Sequence, residues 1–211
     1  MNEAQILLRM CRTDEKQRLI ITPIISPRAQ FQPTSVDLRL GTEFLLIKSS
    51  RLEYFNLLEE EKEAKLRLSE YTEFVKVGPE GEFVLHPRQF ALGCTLEYVA
   101  LPPDLAGRLE GKSTWGRMGL QVHSTAGFVD PGFAGALTFE LQNAGAVAIP
   151  LYPGMTVAQI CFIKTESSSI PCRQKYSSQY GGWAGLQGSR YYQRPDMQLL
   201  RRIRSQEKEG D

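Results

Sequence analysis

Between Gly111 and Asn143 the chain reads GKSTWGRMGLQVHSTAGFVDPGFAGALTFELQN, and this window gathers more reactive side chains than any other. Gly111 and Gly116 bracket Lys112, Ser113, Thr114 and Arg117. Two cations and two hydroxyls, placed where glycines let backbone N–H groups come close, suit an anion such as a phosphate. Further along, Ala136, Thr138 and Glu140 share one face of an alternating run while Leu137, Phe139 and Leu141 take the other. Glu140 is therefore predicted to stand on a strand, opposite an apolar face.

The elements that must position these groups are short and closely punctuated. Met118 to His123 reads as a strand, Ala126-Gly127 and Asp130-Pro131-Gly132 as the turns of a hairpin, and Gly135 to Leu141 as the returning strand. Upstream, Asn2 to Thr13 predicts a short helix with Asn2 as its N-cap. Leu19 to Gln32 carries Pro23 and Pro27 and is predicted to be extended. Thr34 to Leu40 alternates as a half-buried strand does, with Gly41 beginning a turn into Phe44 to Ile47. The Glu-, Lys- and Leu-rich stretch from Leu57 to Tyr71 is either a solvated helix or a mobile insertion. Strands follow at Glu82 to His86, Gln89 to Val99, Ala106 to Glu110, Val147 to Leu151 and Thr156 to Ile163. Many short strands separated by Gly and Pro indicate a mainly β protein, a sandwich or a distorted barrel with short peripheral helices.

Composition excludes several classes of function. With 25 basic and 24 acidic residues the formal net charge is +1, so nucleic-acid binding by bulk electrostatics is not expected. No apolar run approaches the roughly 20 residues of a membrane span. Cys11, Cys94, Cys161 and Cys172 form no CxxC pair, which fits reduced thiols in a cytoplasmic protein.

GKSTWGRMGL, HSTAGFVDPGF and LTFELQN, with the early TSVDLRLG and the late KYSSQYG, resemble the dCTP deaminase family, relatives of the dUTPases. The likeness is greatest to the bifunctional, dUMP-forming branch. It implies a dUTPase-like distorted β-barrel or jelly-roll and a homotrimer with shared active sites. A single nucleotide hydrolase domain over 1–190 is expected, ending in a lid at about 167–190 that has little to bury and much freedom. The tail, 191–211, is expected to be a short basic helix around Met197 to Arg204 or disordered. Within the barrel, Asp37 and Arg39 read as a structural ion pair or trimer contact rather than as catalytic groups.

The resemblance also implies a chemistry. Zinc-dependent cytosine deaminases need H-x-E and P-C-x-x-C patterns, because the metal generates the attacking hydroxide. This chain has neither, and its two histidines, His86 and His123, are not followed two residues later by glutamate. A Ser113-His123-Asp130 triad has no support beyond the presence of the residue types. Deamination without a transition metal needs a base, a proton shuttle and donors for developing charge. By resemblance Glu140 is the base and shuttle, while Ser113 and Arg117 hold the water and the tetrahedral centre at cytosine C4. The other reading of Glu140 and Arg117 is an interstrand salt bridge; the surrounding motif favours catalysis.

Substrate contacts are carried over in the same way. Lys112, Ser113, Thr114 and Arg117 would grip phosphate, as would Lys175 and Gln179 of the tail. Asp130 would hold the deoxyribose 3′-hydroxyl, Thr125 and Ala126 the pyrimidine edge, and Thr138 and Gln159 further parts of the nucleotide. Where relatives carry a tyrosine ahead of the Lys175-Tyr176 pair, this chain has Ser167 and Ser168. Gly127-Phe128 stands where purely deaminating relatives show His-Arg, and so marks the bifunctional branch. The expected reaction is dCTP to dUMP and diphosphate. Mg²⁺ is expected to be held mainly by the triphosphate, with no metal ligands from the protein. Deamination to dUTP alone, plain dUTPase activity and an inactive nucleotide-binding trimer are the alternatives.

Overall fold

The computed structural model describes residues 1–14, 16–48, 54–166 and 185–209. The expected lid residues Lys175 and Gln179, with Ser167, Ser168 and Cys172, lie outside them, as do the last two residues of the tail. In chain order the elements are α1 (Glu3–Met10), β1 (Ile20–Thr22), α2 (Pro27–Gln30), β2 (Ser35–Ile47), α3 (Glu61–Tyr71), β3 (Thr72–Lys76), β4 (Phe83–Leu85) and β5 (Phe90–Ala100). There follow β6 (Leu105–Gly111), α4 (Ser113–Gly116), β7 (Leu120–Gln121), β8 (Phe128–Val129), β9 (Ala134–Asn143), β10 (Ile149–Leu151) and β11 (Thr156–Lys164). A 3₁₀ turn (Tyr191–Gln193) and α5 (Pro195–Glu209) close the described chain.

The fold is mainly β, as the spacing of turns predicts. Nine strands form one antiparallel sheet in the order β7-β9-β5-β2-β11-β6-β8, with β1 added against β5 and β3 against β2. β4 and β10 form a separate antiparallel pair. The middle strand, β2, does most to shape the sheet. Its first half, Ser35 to Arg39, pairs with β11, and its second half, Glu43 to Ile47, pairs with β3. Gly41 lies where the partners change, inside an unbroken 13-residue strand. The turn predicted at Gly41 is therefore a crossover instead: a Cβ there would lie 3.0 Å from the Cys94 carbonyl oxygen, so glycine admits a close approach of β5. Val36, Leu38, Leu40 and Phe44 of β2 are fully buried, and Phe44 stacks on Phe83 with ring centroids 4.3 Å apart.

Other differences from the predicted elements have local causes. The Leu19 to Gln32 stretch is not extended throughout. Pro27 starts the one-turn α2, and the buried Gln30 accepts hydrogen bonds from the Ile25 and Ser26 amides through Oε1, bending the chain around itself. Leu57 to Tyr71 resolves into α3 with Ala64 buried beneath it. The strand predicted from Met118 to His123 shrinks to Leu120–Gln121, because the preceding residues wind into α4 and Gly119 takes a φ of +95° against the backbone of Gly145. α1 begins as predicted: Asn2 accepts the Gln5 amide and Gln5 reciprocates, a complete capping box.

Asp37 and Arg39 do not pair with each other. Arg39 Nε lies 2.7 Å from Glu97, which is fully buried and accepts the Arg39 amide as well. Asp37 turns to Lys112, with Nζ at 2.9 and 3.1 Å from its two oxygens. Both carboxylates are buried and charge-paired, which is what makes burial tolerable.

Candidate active site

β9 presents Glu140 as its alternation predicts, with Leu137, Phe139 and Leu141 buried on the other side. One carboxylate oxygen, Oε2, accepts the Ser124 amide at 2.7 Å and the Thr125 amide at 3.0 Å. The Glu140 amide in turn donates to the Val122 carbonyl at 3.0 Å, so this residue fixes the 122–125 loop from two sides. Oε1 takes no hydrogen bond from any described residue. A carboxylate anchored by one oxygen and available at the other is arranged to hold and deprotonate a water.

Glu140 opens onto a cavity of about 810 Å³. Thr138 from β9, Ala126 from the loop before β8, Phe128 from β8 and Asp130 just after it share the wall. Gly127 sits where little else fits: a Cβ would lie 3.0 Å from the Leu109 carbonyl oxygen and 3.5 Å from the His123 ring. The Gly127 carbonyl also accepts the Leu109 amide at 2.7 Å, pinning the loop to β6.

The phosphate-type residues lie elsewhere on the chain. Lys112 caps α4, whose Ser113, Thr114 and Arg117 are exposed, and Trp115 Nε1 fastens the turn by donating to the Thr156 carbonyl at 2.7 Å. None of Lys112, Ser113, Thr114, Arg117 or Gln159 lines the Glu140 cavity. No ion pair joins Arg117 to Glu140 among the described residues, so the interstrand salt bridge is absent. The expected convergence of cations and hydroxyls is also only partial, since the Lys112 ammonium is turned onto Asp37. Gln159 pairs in register with Asp37 and accepts from Ser35 Oγ at 3.3 Å, so it belongs with Lys112 and not with Glu140.

His123 lies beside the site without entering it. Its Nε2 is 3.6 Å from Glu110, whose carboxyl is held below its ordinary range chiefly by the hydrogen bond from Arg108 at 2.6 Å and further by His123. This is a surface charge cluster, not a Ser-His-Asp triad.

Sequence reading missed the far wall of the cavity. Leu57, Leu68 and Tyr71 line it, from a stretch read as a solvated helix or mobile insertion, as does Phe55 just ahead of that stretch, and Phe55 meets Tyr71 edge-on at 4.7 Å. Gln187 and Tyr191 close it from the C-terminal side. Tyr191 donates to Glu59 at 2.8 Å, and Arg67 approaches the same carboxylate at 2.9 Å. Burial, helped by the hydrogen bond to Glu59 and its charge, pushes the Tyr191 phenol up to about 12. The usable signal was the cluster of aromatic residues on both sides of the charged run.

Known proteins resemble this chain in sequence and fold. A family model described as dCTP deaminase-like matches residues 8–165. A protein of Dictyoglomus thermophilum named "dCTP deaminase, dUMP-forming" is 42% identical over 177 residues, spanning 83% of this chain and 88% of its own. Proteins of the same name from Pseudarthrobacter chlorophenolicus and Methanobrevibacter smithii are 42% and 44% identical over 178 and 163 residues, spanning 83% and 77% of this chain and 88% and 79% of their own. The crystal structure of 2′-deoxycytidine 5′-triphosphate deaminase from Agrobacterium tumefaciens superposes with a TM-score of 0.57 at 20% identity. That match covers 79% of this chain and 48% of the other, and it shows a shared fold. With the family model matching well over half its length, the chain belongs to the dCTP deaminase-like family.

Proposed function

We propose that this chain hydrolyses dCTP to dUMP, ammonia and diphosphate in the cytoplasm, without a transition metal. The observation that carries the reading is Glu140, which lines a nucleotide-sized cavity and is anchored through Oε2 by two backbone amides. Relatives over 40% identical bear the name of this reaction.

In the proposed chemistry Glu140 takes a proton from water as its oxygen adds to cytosine C4. The proton passes to the ring nitrogen, and a second transfer releases ammonia as the C4 carbonyl forms. Ser113 and Arg117 stabilise the tetrahedral centre. They do not reach the Glu140 cavity within one chain, which supports a homotrimer in which a second copy supplies them. Thr125 and Ala126 meet the base, Thr138 lies beside it, and Asp130 holds the 3′-hydroxyl and directs a second water to the α-phosphorus, expelling diphosphate. Lys112, Thr114 and Gln159 complete the phosphate side, together with Lys175 and Gln179.

Among the described residues no group of three or more His, Cys, Asp or Glu side chains is placed to hold a metal ion. Mg²⁺ enters in this proposal with the substrate, bound by triphosphate oxygens and water. The deciding experiment follows dCTP by ion-exchange chromatography with Mg²⁺ supplied and a zinc-selective chelator present. The expected products are dUMP and diphosphate with little free dUTP. Accumulation of dUTP would make the chain a deaminase only, hydrolysis of dUTP but not dCTP a dUTPase, and activity restored only by zinc would overturn the mechanism.

A further inference from the structure

Tyr191, which lines the Glu140 cavity, is held by a carboxylate from a distant part of the chain. Glu59 is buried, and both of its oxygens are used: Oε1 accepts from the Tyr191 hydroxyl at 2.8 Å and Oε2 from Arg67 Nε of α3 at 2.9 Å. Partners of this kind are what make a buried carboxylate tolerable. Arg201 of α5 reaches the same spot, donating through Nε to the Leu58 carbonyl at 2.8 Å and through a terminal nitrogen to the Glu59 carbonyl. Lys65 of α3 lies over the Tyr192 ring, 5.7 Å from its centroid. At the other end of the segment the Leu186 amide donates to Glu43 Oε2 at 3.1 Å. Residues 186–191 are thus a strap tied at each end by a carboxylate, to β2 through Glu43 and to the insertion through Glu59.

What the strap covers follows from the register of the sheet. Leu45 of β2 pairs with Leu92 of β5, and Leu92 pairs with Glu140 of β9, so the three side chains stand in one row on the same face. A Cβ on Gly188 would come within 3.2 Å of Leu45 Cδ2, which seats the strap on the row that ends in Glu140. Among the described residues no lysine or arginine lines the cavity, so the wall here suits a base and a sugar and not a triphosphate. From this geometry we infer that Glu59 is a positioning residue for the reaction: by joining Tyr191 to α3 it holds the strap and the insertion together as one wall, against which the nucleoside part of the substrate rests. The inference rests on the proposed function. The strap lies beyond residues 8–165, the part of the chain that matches the family model.

The test compares the full-length parent with Glu59→Ala, Glu59→Gln and Tyr191→Phe by steady-state kinetics on dCTP, with thermal unfolding recorded in the absence of nucleotide. Glu59→Ala is expected to raise KM about ten-fold and leave kcat within about two-fold, because a wall contact is made alike in the ground and transition states. Tyr191→Phe keeps the ring, removes the tie and should raise KM in the same direction. Glu59→Gln still offers an oxygen to the Tyr191 hydroxyl and should stay nearer the parent. Combining Glu59→Ala with Tyr191→Phe should raise KM no further than Glu59→Ala alone, since both remove the same tie. Should Glu59→Ala fail to fold, Tyr191→Phe carries the test. An unchanged KM in a folded variant, or kcat lost at constant KM together with a lower melting temperature, makes the tie structural only and overturns the inference. A parent that does not turn over dCTP overturns the proposed function itself.

Discussion

Lys112 Nζ lies 2.9 and 3.1 Å from the two oxygens of Asp37, which joins the lysine of the GKST run to the middle strand of the sheet. Gln32 donates to the same carboxylate at 3.3 Å. The pair is only partly accessible, with 27% of the Lys112 side chain and 9% of the Asp37 side chain exposed. Removing one partner therefore leaves a charge that water screens poorly.

Asp37→Asn is expected to destabilise the protein by about 1–3 kcal/mol, read as a lower midpoint in urea at fixed protein concentration. Adding Lys112→Met should recover part of the loss, because the orphaned ammonium is then gone. An unchanged midpoint in the single variant would show that the pair is solvated and contributes nothing to stability.

Glu140→Gln is expected to lower dCTP deamination by about 10²-fold or more while nucleotide still binds. The amide oxygen can continue to accept from Ser124 and Thr125, so the loop keeps its anchor and only the base is lost. Near-normal turnover would make the carboxylate a loop fastener and nothing else.

How much of this was legible in the sequence differs from residue to residue. β9 was readable because Leu137, Phe139 and Leu141 alternate with Ala136, Thr138 and Glu140, and the structure buries the first set. Gly41 was misread because a glycine that opens a turn and a glycine that admits a neighbouring strand look alike until Cys94 is in place. α4 was invisible for a similar reason: its single turn is fastened by Trp115 reaching Thr156, 41 residues away. Asp37 and Arg39 looked like mutual partners by proximity, whereas their charges are met by Lys112 and Glu97 from other strands. Local pattern reports which face a residue takes, but partners are assigned by the tertiary fold.

Cys94 offers a test of the core independent of activity. Burial pushes its thiol up to about 11, and the nearby Glu43 charge adds to the shift. The charged form is disfavoured in the folded state, so the thiolate is scarce until pH rises towards that value. With iodoacetamide at about pH 8, exposed Cys11 should be alkylated while Cys94 stays intact, and Cys94 should react once guanidinium unfolds the chain. Peptide mass spectrometry reads both sites. Labelling of Cys94 in the native protein at the rate of Cys11 would contradict its place in the core.

Gly127 is where geometry and the proposed product meet. Its carbonyl accepts from Leu109, while the space a side chain would need is taken by the Leu109 carbonyl oxygen, 3.0 Å from where a Cβ would stand, and by the His123 ring. A methyl group must therefore push the loop away from β6, and the shift is carried along the chain to Phe128 and, two residues further, to Asp130. Glu140 sits on β9 and is held separately by Ser124 and Thr125, so the C4 step should suffer less. Gly127→Ala is thus expected to raise the ratio of free dUTP to dUMP formed from dCTP, measured by ion exchange across a time course. A variant that loses total turnover with the ratio unchanged would show that Gly127 supports both steps equally and does not select the product.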